Sequence, residues 1–463
     1  MRMHRNDSTG GTGLLPAPAL ARAASALCLL ALASPPAQSQ VTAQAQGAPP
    51  IRLVYPGVPA DIDASLASAN ADIARMTVRE GFVVEAAVPR VEGTRFIEFA
   101  PDGRLFISRP RFEDILVLED ADRDGVFESL RPYVTDVPGV HGLCWFVPPA
   151  GSLDKPSLWF STSSAIVQTR DADNDGKAES LVPVLSDLPS GGMHWWRSIL
   201  VTGEHIYTSI GDSENITDES ATDRQKIWRY SLSGSDKTLF ASGVRNTEKL
   251  RLRPGTSEVW GVDHGSDWFG RSFGENADVG QPITDENPPD EFNHYEQGKF
   301  YGHPFIVGSR IPRNEFRERA DIVQLAAQTQ VPAWSFGAHW ASNSFTFIDP
   351  ALATTLPPDF AGDAIVASRG SWNRSERAGY QVGRVLFDKD KSFAGRPFGY
   401  QTLVRTIVGE QVLARPVDVT QGPDGHVYFS TDLPVGRVYR LRWAGNAEAL
   451  PAEPLPTQTQ PQQ

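Results

Sequence analysis

Pro101-Asp102-Gly103-Arg104-Leu105-Phe106-Ile107-Ser108 and Pro423-Asp424-Gly425-His426-Val427-Tyr428-Phe429-Ser430 are two copies of one local device. A Pro-Asp-Gly turn supplies a fixed φ, a side-chain acceptor and a left-handed position, and leads into a short apolar run. Four further runs have the same character: Leu158-Trp159-Phe160-Ser161-Thr162, Ile206-Tyr207-Thr208-Ser209, Glu258-Val259-Trp260-Gly261-Val262 and Ala364-Ile365-Val366-Ala367-Ser368. β-Branched and aromatic residues dominate them, as they do strands. Most lie about 50–60 residues apart, near the ~40–50-residue period of propeller blades. The six copies predict an all-β, six-bladed β-propeller in which each blade needs its neighbours to bury its faces. A β-sandwich or β-helix is the competing arrangement. The interval between the fourth and fifth copies is about twice the others, which predicts an insertion across Phe269 to Ser344.

A ring must protect the edges of its first and last blades. Phe82-Val83-Val84-Glu85-Ala86-Ala87-Val88 is expected to pair with Arg437-Val438-Tyr439-Arg440-Leu441-Arg442 and close it. The propeller domain then spans residues 76–443. Before it, residues 34–75 are rich in Ala, Pro and Gln and read as linker, with a short helix possible from Asp61 to Met76. The Pro- and Gln-dense tail 444–463 reads as disordered.

Residues 1–33 have the pattern of an export signal. Arg2, Arg5 and Arg22 supply positive charge, Ala23 to Ala33 is small and apolar, and Ala31-Leu32-Ala33 offers a cleavage site. The expected location is the periplasm or outside the cell. No stretch is long enough for a membrane span. The formal net charge of -13 argues against nucleic acid as a partner, because phosphate binding needs clustered Lys and Arg. Only Cys28 and Cys144 occur, and the first lies in the signal. An internal disulfide, a cysteine metal site and a haem motif are therefore all excluded from the mature chain, and redox chemistry would need another bound cofactor.

Two acidic loops nearly repeat each other: Asp120-Ala121-Asp122-Arg123-Asp124-Gly125 with Glu128, and Asp171-Ala172-Asp173-Asn174-Asp175-Gly176 with Glu179. Carboxylates at positions 1, 3, 5 and 9 can wrap a calcium ion, although no acid stands at position 12 as in an EF-hand. The same residues can instead form Asx turns at hairpin tips without a metal. A second pairing is more suggestive of catalysis. His194, in Gly192-Met193-His194-Trp195-Trp196, precedes a strand ending at Gly211-Asp212. An imidazole with a carboxylate to fix its tautomer makes a general base, and the tryptophans suit a pocket wall. On the residues alone, a core histidine under two tryptophans is the favoured reading.

These residues and three later landmarks, taken in order, resemble the soluble pyrroloquinoline quinone (PQQ)-dependent glucose/sorbosone dehydrogenases. The landmarks are Gly243-Val244-Arg245-Asn246, Asp263-His264-Gly265-Ser266, and Asp290-Glu291-Phe292-Asn293 leading to Tyr301-Gly302-His303-Pro304. Arg369-Gly370-Ser371-Trp372-Asn373-Arg374 with Gly379-Tyr380-Gln381-Val382 is similar to the sorbosone branch. The resemblance implies that His194 is the base, oriented by Asp212. Arg245 would lie over the quinone with Asn246 and His264 nearby. The carbonyls of Gly265 and Ser266 would hold calcium, and Arg369 and Arg415 would anchor the cofactor's carboxylates. For both arginines a surface salt bridge is the plain alternative. The chain departs from the family at Val140, where a glutamine is common, at Val417, where a second arginine is common, and at Thr247-Glu248-Lys249 after the Arg-Asn pair.

The expected protein is an exported PQQ- and calcium-dependent oxidoreductase that acts on a sugar or related alcohol or aldehyde and passes electrons to an external acceptor. Two other classes compete: a calcium-dependent lactone or ester hydrolase on the same propeller, and a non-catalytic carbohydrate- or partner-binding propeller.

Overall fold

The structure is a computed structural model that describes residues 55–58, 61–152, 154–173, 175–276, 282–352, 355–392 and 394–445. The expected signal 1–33, much of the expected linker and residues 446–463 of the expected tail lie outside the described residues.

The described strands form six blades, antiparallel except where Lys299–Phe300 joins the edge of blade three in parallel, and two small ribbons. The inner strands of the blades are, in chain order, Ile97–Phe99, Leu143–Phe146, Leu200–Val201, Thr247–Leu252, Ser342–Phe347 and Pro416–Gln421. All six runs recognised in the sequence occupy one structural position, the second strand of a blade. These strands are Leu105–Arg109, Ser157–Ser161, His205–Ile210, Val259–Asp263, Ala364–Ser368 and Val427–Thr431. Consecutive blades touch through their inner strands, blade three meeting blade four through its second strand His205–Ile210, and the last touches the first, so the sheets close into a ring.

Phe82–Val88 forms the outer strand of blade six, with Phe82 opposite Trp443, Val84 opposite Leu441 and Ala86 opposite Tyr439. The two ends of the domain are thereby hydrogen-bonded to each other. Between blades four and five the packing is largely aromatic. Trp260, Phe292, Phe336, Phe345, Phe347 and Phe387 form one buried cluster between blades four and five. Burial of each such ring contributes roughly 1.5–3 kcal/mol.

The short helix expected within Asp61 to Met76 is present, and the expected insertion after the fourth repeat is corrected. Part of the expected linker is an ordered helix, Ile62–Ile73, whose first turn is capped by Asp61 Oδ1 accepting from Ala64 N at 2.8 Å. It is tied to blade six by Arg437, which bonds Asp72 Oδ2 at 2.5 Å and Ser68 Oγ at 2.9 Å. The long interval after the fourth repeat is not one insertion. It contains the third and fourth strands of blade four, Pro289–Tyr295 and Trp334–Ala338, separated from their predecessors by two long connections.

Charged side chains fill the ring's centre. Arg251 grips both oxygens of Glu98 at 2.7 Å, and Lys249 reaches Glu98 at 3.4 Å and Asp418 at 3.2 Å. Asp418, fully buried, also accepts from Ile97 N at 2.8 Å and from Ser344 Oγ. Blades one, four, five and six thus meet in one ionic network. The Thr247-Glu248-Lys249 run, where the family pattern has Pro and a small residue, supplies part of it.

Candidate active site

The residues just ahead of four inner strands gather at one mouth of the ring: Arg95, His141, Arg245 with Asn246, and Arg415. A repeated backbone position places each of them there.

His194 lies on the connection between blades two and three, where Gly192 takes φ +79°. Its ring is nearly buried, and Nδ1 lies 2.9 Å from the main-chain oxygen of Asp212. A carbonyl can only accept, so Nδ1 carries the proton and Nε2 keeps its lone pair. Burial first, and then the Arg245 charge, hold the imidazole well below its ordinary pKa. The geometry is that of a neutral base. Gly211 makes the close packing possible: a Cβ there would lie 2.7 Å from Arg245 O and 2.9 Å from His194 Cβ.

Asp212 orients His194, but through its backbone. Its carboxylate turns away from His194 to accept from His303 Nε2 at 2.6 Å, Glu214 N at 2.7 Å and Gln225 Nε2 at 3.0 Å. Burial alone would raise its pKa, but these donors, His303 foremost, hold it below the usual carboxylate range. The expected carboxylate–His194 contact is therefore replaced by a buried Asp212–His303 pair, because the chain turns at Gly211 before the side chain can reach back.

Arg245 is locked on every side. Its Nε and Nη2 bond Asn215 O and Oδ1 at 2.9 and 2.8 Å, and Nη1 bonds Gly265 O at 2.9 Å. Asp263 holds the main chain through Arg245 N at 2.9 Å and Asn246 N at 2.6 Å. The Gly265 carbonyl, an expected calcium ligand, thus already accepts from a guanidinium, and a cation there would lie beside that positive charge. Ser266 accepts through Oγ from Arg313 Nη1 at 2.5 Å. His264, an expected cofactor contact, has both ring nitrogens engaged, Nδ1 with Asn246 Nδ2 at 3.0 Å and Nε2 with Ser342 O at 3.1 Å.

Across the mouth, Arg95 and Arg369 share Asp432, at 3.4 and 3.0 Å. Arg95 also bonds Glu248 at 2.6 Å and packs over the Trp196 ring. Burial would raise Glu248, but the Arg95 charge leads in holding it down at about 2. Arg415 bonds the carbonyls of Arg369 and Gly370 at 3.1 and 2.9 Å. Arg415 braces backbone and makes no salt bridge among the described residues, whereas Arg369 pairs through Nε with the partly buried Asp432 and leaves both terminal nitrogens without a hydrogen bond among those residues. Three guanidiniums thus face two carboxylates, a surplus that suits a polyanion.

Val140 and Val417 are wholly buried and contribute nothing to the mouth. Sequence reading missed Arg95 and His303. Arg95 could have been found from its register, two residues ahead of an inner strand like His141. His303 stood inside a recognised landmark but had been given no role.

Asp290-Glu291-Phe292-Asn293 lies in a buried strand. Asp290 clamps Gly265 N and Ser342 N, each at 2.9 Å. Glu291 lines a small cavity behind Arg245, and burial pushes its pKa up to about 8. A carboxyl raised in this way stabilises fully below its unfolded pKa, near 4.5, and loses that contribution as pH rises through about 8. The melting temperature of Glu291→Gln relative to wild type should therefore climb between about pH 5 and 8, then level off. Parallel melting curves across that range would contradict the assignment.

The two aspartate loops lie on the blade hairpins. In each, the four acidic oxygens fall within 4.8 Å of one another. Backbone amides already cap them: Gly125 N bonds Asp120 at 2.8 Å, and Gly176 N bonds Asp171 at 3.2 Å. The geometry serves the turn by itself, and Asp122, Asp124, Glu128, Asp173, Asp175 and Glu179 complete the two groups.

A six-bladed ring with a histidine of fixed tautomer, a locked arginine and a guanidinium-rich mouth defines a soluble quinoprotein sugar dehydrogenase-like propeller. Residues 76–444 match the family described as TrAA12-like, and the chain belongs to it. The fold is shared with a Trichoderma reesei structure of Carbohydrate-Active Enzymes Family AA12, at TM-score 0.64 and 17% identity over 80% of this chain and 97% of that one. It is shared also with the PQQ domain of Coprinopsis cinerea pyranose dehydrogenase, at TM-score 0.63 and 17% identity over 79% and 97%. The soluble aldose sugar dehydrogenase of Escherichia coli matches at TM-score 0.55 and 17% identity over 78% and 99%. An uncharacterized Borreliella burgdorferi protein is 25% identical over 256 residues, a match covering 54% of this chain and 60% of that relative's length. Among the described residues no helix is long and apolar enough to cross a membrane.

Proposed function

We propose that this protein oxidises a sugar hydroxyl with PQQ and delivers the electrons to an external acceptor, working outside the cytoplasm as the Arg- and Ala-rich N-terminus suggests. The observation that carries this reading is His194, with its tautomer set by the Asp212 carbonyl, beside Arg245 at a guanidinium-rich mouth. Family membership and the pyranose and aldose dehydrogenases that share the fold support it.

The donor set fits the cofactor. PQQ is a tricarboxylate, and Arg95, Arg369 and Arg415, with Arg245 and Asn246, are the groups that would hold it. When bound, it supplies a carbonyl acceptor for hydride. His194 Nε2 takes the proton of the sugar hydroxyl as the C–H bond breaks. The Asp212 carbonyl keeps the ring aimed and stabilises the imidazolium through Nδ1–H, while Arg245, held rigid by Asn215 and Gly265, offers positive charge without reorganising.

The test is turnover of an aldose with an artificial electron acceptor after addition of PQQ and calcium. Because burial and Arg245 keep His194 neutral, the rate should stay level as pH falls through 6.5 and drop only well below it. A rate that halves near pH 6.5 would remove His194 as the base. Lactone hydrolysis without quinone, or no turnover at all, would remove the oxidoreductase reading.

A further inference from the structure

Two clefts lie near the mouth, and one tryptophan from each meets the other. One, of about 560 Å³, is lined by Trp372, Ser371, Tyr380, Glu410 and Arg415. The other, of about 440 Å³, is lined by Trp268, Asp267, Asn215, Glu214 and Arg271. Each is within the size range of small-ligand sites, roughly 300–1,000 Å³. Trp268 and Trp372 meet edge to face where the clefts adjoin, with centroids 5.2 Å apart. Trp372 is 63% exposed, a large cost in wetted apolar surface for a side chain that stabilises little by burial.

The pair is built on the same frame that fixes Arg245. Asp267, next to Trp268, receives Asn373 Nδ2 on Oδ1 at 2.9 Å and lies 3.5 Å from Arg245 Nη2 through Oδ2. Asn215, already bonded to Arg245, holds Asp267 through both its backbone groups, at 2.9 Å each. Asn373, next to Trp372, is buried and keeps Oδ1 without a partner among the described residues. Trp268 has φ +54° and ψ +47°, a left-handed conformation that bulky residues rarely adopt. Such a conformation is retained where surroundings over-determine it, and here it sets an indole on the rim.

We propose that Trp268 and Trp372 form a stacking platform for a sugar residue beyond the one oxidised, so that the substrate is the end of an oligosaccharide. Flat indole faces match the apolar faces of pyranose rings, and the amide, carboxylate and guanidinium groups along each cleft match their hydroxyls. A free monosaccharide would reach His194 and Arg245 while leaving both clefts empty. The catalytic consequence rests on the sugar-oxidising reading above; binding to the platform does not.

The experiment separates the two. The PQQ-free protein, Trp372→Ala and Trp372→Phe are titrated with cellotriose, maltotriose and glucose, followed by calorimetry and tryptophan fluorescence. At least one trisaccharide should bind tenfold or more tighter than glucose. Trp372→Ala should erase most of that advantage without changing glucose affinity, and Trp372→Phe should recover part of it. In the reconstituted enzyme the same alanine variant should raise KM for that trisaccharide about tenfold with kcat unchanged. Equal affinity for glucose and trisaccharides, absence of trisaccharide binding, or an unaltered Trp372→Ala variant overturns the platform. So does a variant that slows reduction of a protein acceptor such as cytochrome c while binding trisaccharide normally, which would make the pair a docking patch. Intact trisaccharide binding without quinone-dependent turnover overturns the oxidoreductase reading and leaves the platform standing.

Discussion

His194→Ala should cut sugar turnover of the reconstituted protein by about 10²–10⁴-fold, the usual cost of losing a general base. The affected quantity is kcat, because the side chain takes a proton only as the substrate reacts. The anchors for a polyanion are Arg95, Arg369 and Arg415, and none of them contacts His194, so quinone affinity should be preserved. Asp212→Asn should cost less. The carbonyl that orients His194 survives that change, and only the pairing with His303 is weakened. His303→Gln, which can still donate to Asp212, should resemble wild type more closely than His303→Ala. Turnover retained in His194→Ala would remove the assignment, and an Asp212→Asn loss as large as that of His194→Ala would mean the carboxylate takes part directly.

Glu98→Ala should be the most destabilising single change in the ring's centre. Burial would raise the Glu98 carboxyl, but the Arg251 and Lys249 charges outweigh it and keep the group ionised. Removing it leaves Arg251 and Lys249 facing one remaining carboxylate, Asp418, inside the protein. Breaking a buried pair from one side typically costs about 3–5 kcal/mol. At about 2.1 cal/mol/K of unfolding entropy per residue, a domain of this size shifts by little more than ~1 °C per kcal/mol, so the melting temperature should fall by about 4–6 °C. A double change that removes Glu98 together with Arg251 should cost less than the sum of the two singles, because neither charge is then stranded. A Glu98→Ala midpoint within a degree of wild type would show that solvent reaches the network.

Much of the ring could be read from residues. The six apolar runs fall on the same strand of each blade because that strand is flanked on both sides and buried on both faces, which leaves the most regular signal. The closing strand was equally legible, since Phe82–Val88 and Arg437–Trp443 are the edges a ring must pair. The irregular connections around Pro289–Tyr295 were not: their lengths follow no period, so a strand between two long loops reads as insertion. At the site, motif order identified His194, Asp212, Arg245 and His264, but not which atom of each does the work. The Asp212 main chain and side chain serve different histidines because of where the chain turns at Gly211, and residue type does not encode that. The surplus of guanidiniums was half visible. Arg369 and Arg415 stood in recognisable motifs, whereas Arg95 declares itself only once inner strands are aligned.

The mouth of the ring is the proposed PQQ site, and titrating the metal-free, quinone-free protein with PQQ while following visible absorption tests it most directly. Binding should saturate at one equivalent, survive in His194→Ala, and weaken by tenfold or more in both Arg95→Ala and Arg369→Ala. Repeating the titration with calcium measures whether the ion raises PQQ affinity. A protein that takes up no PQQ with or without calcium, or one whose affinity ignores both arginines, would contradict the account.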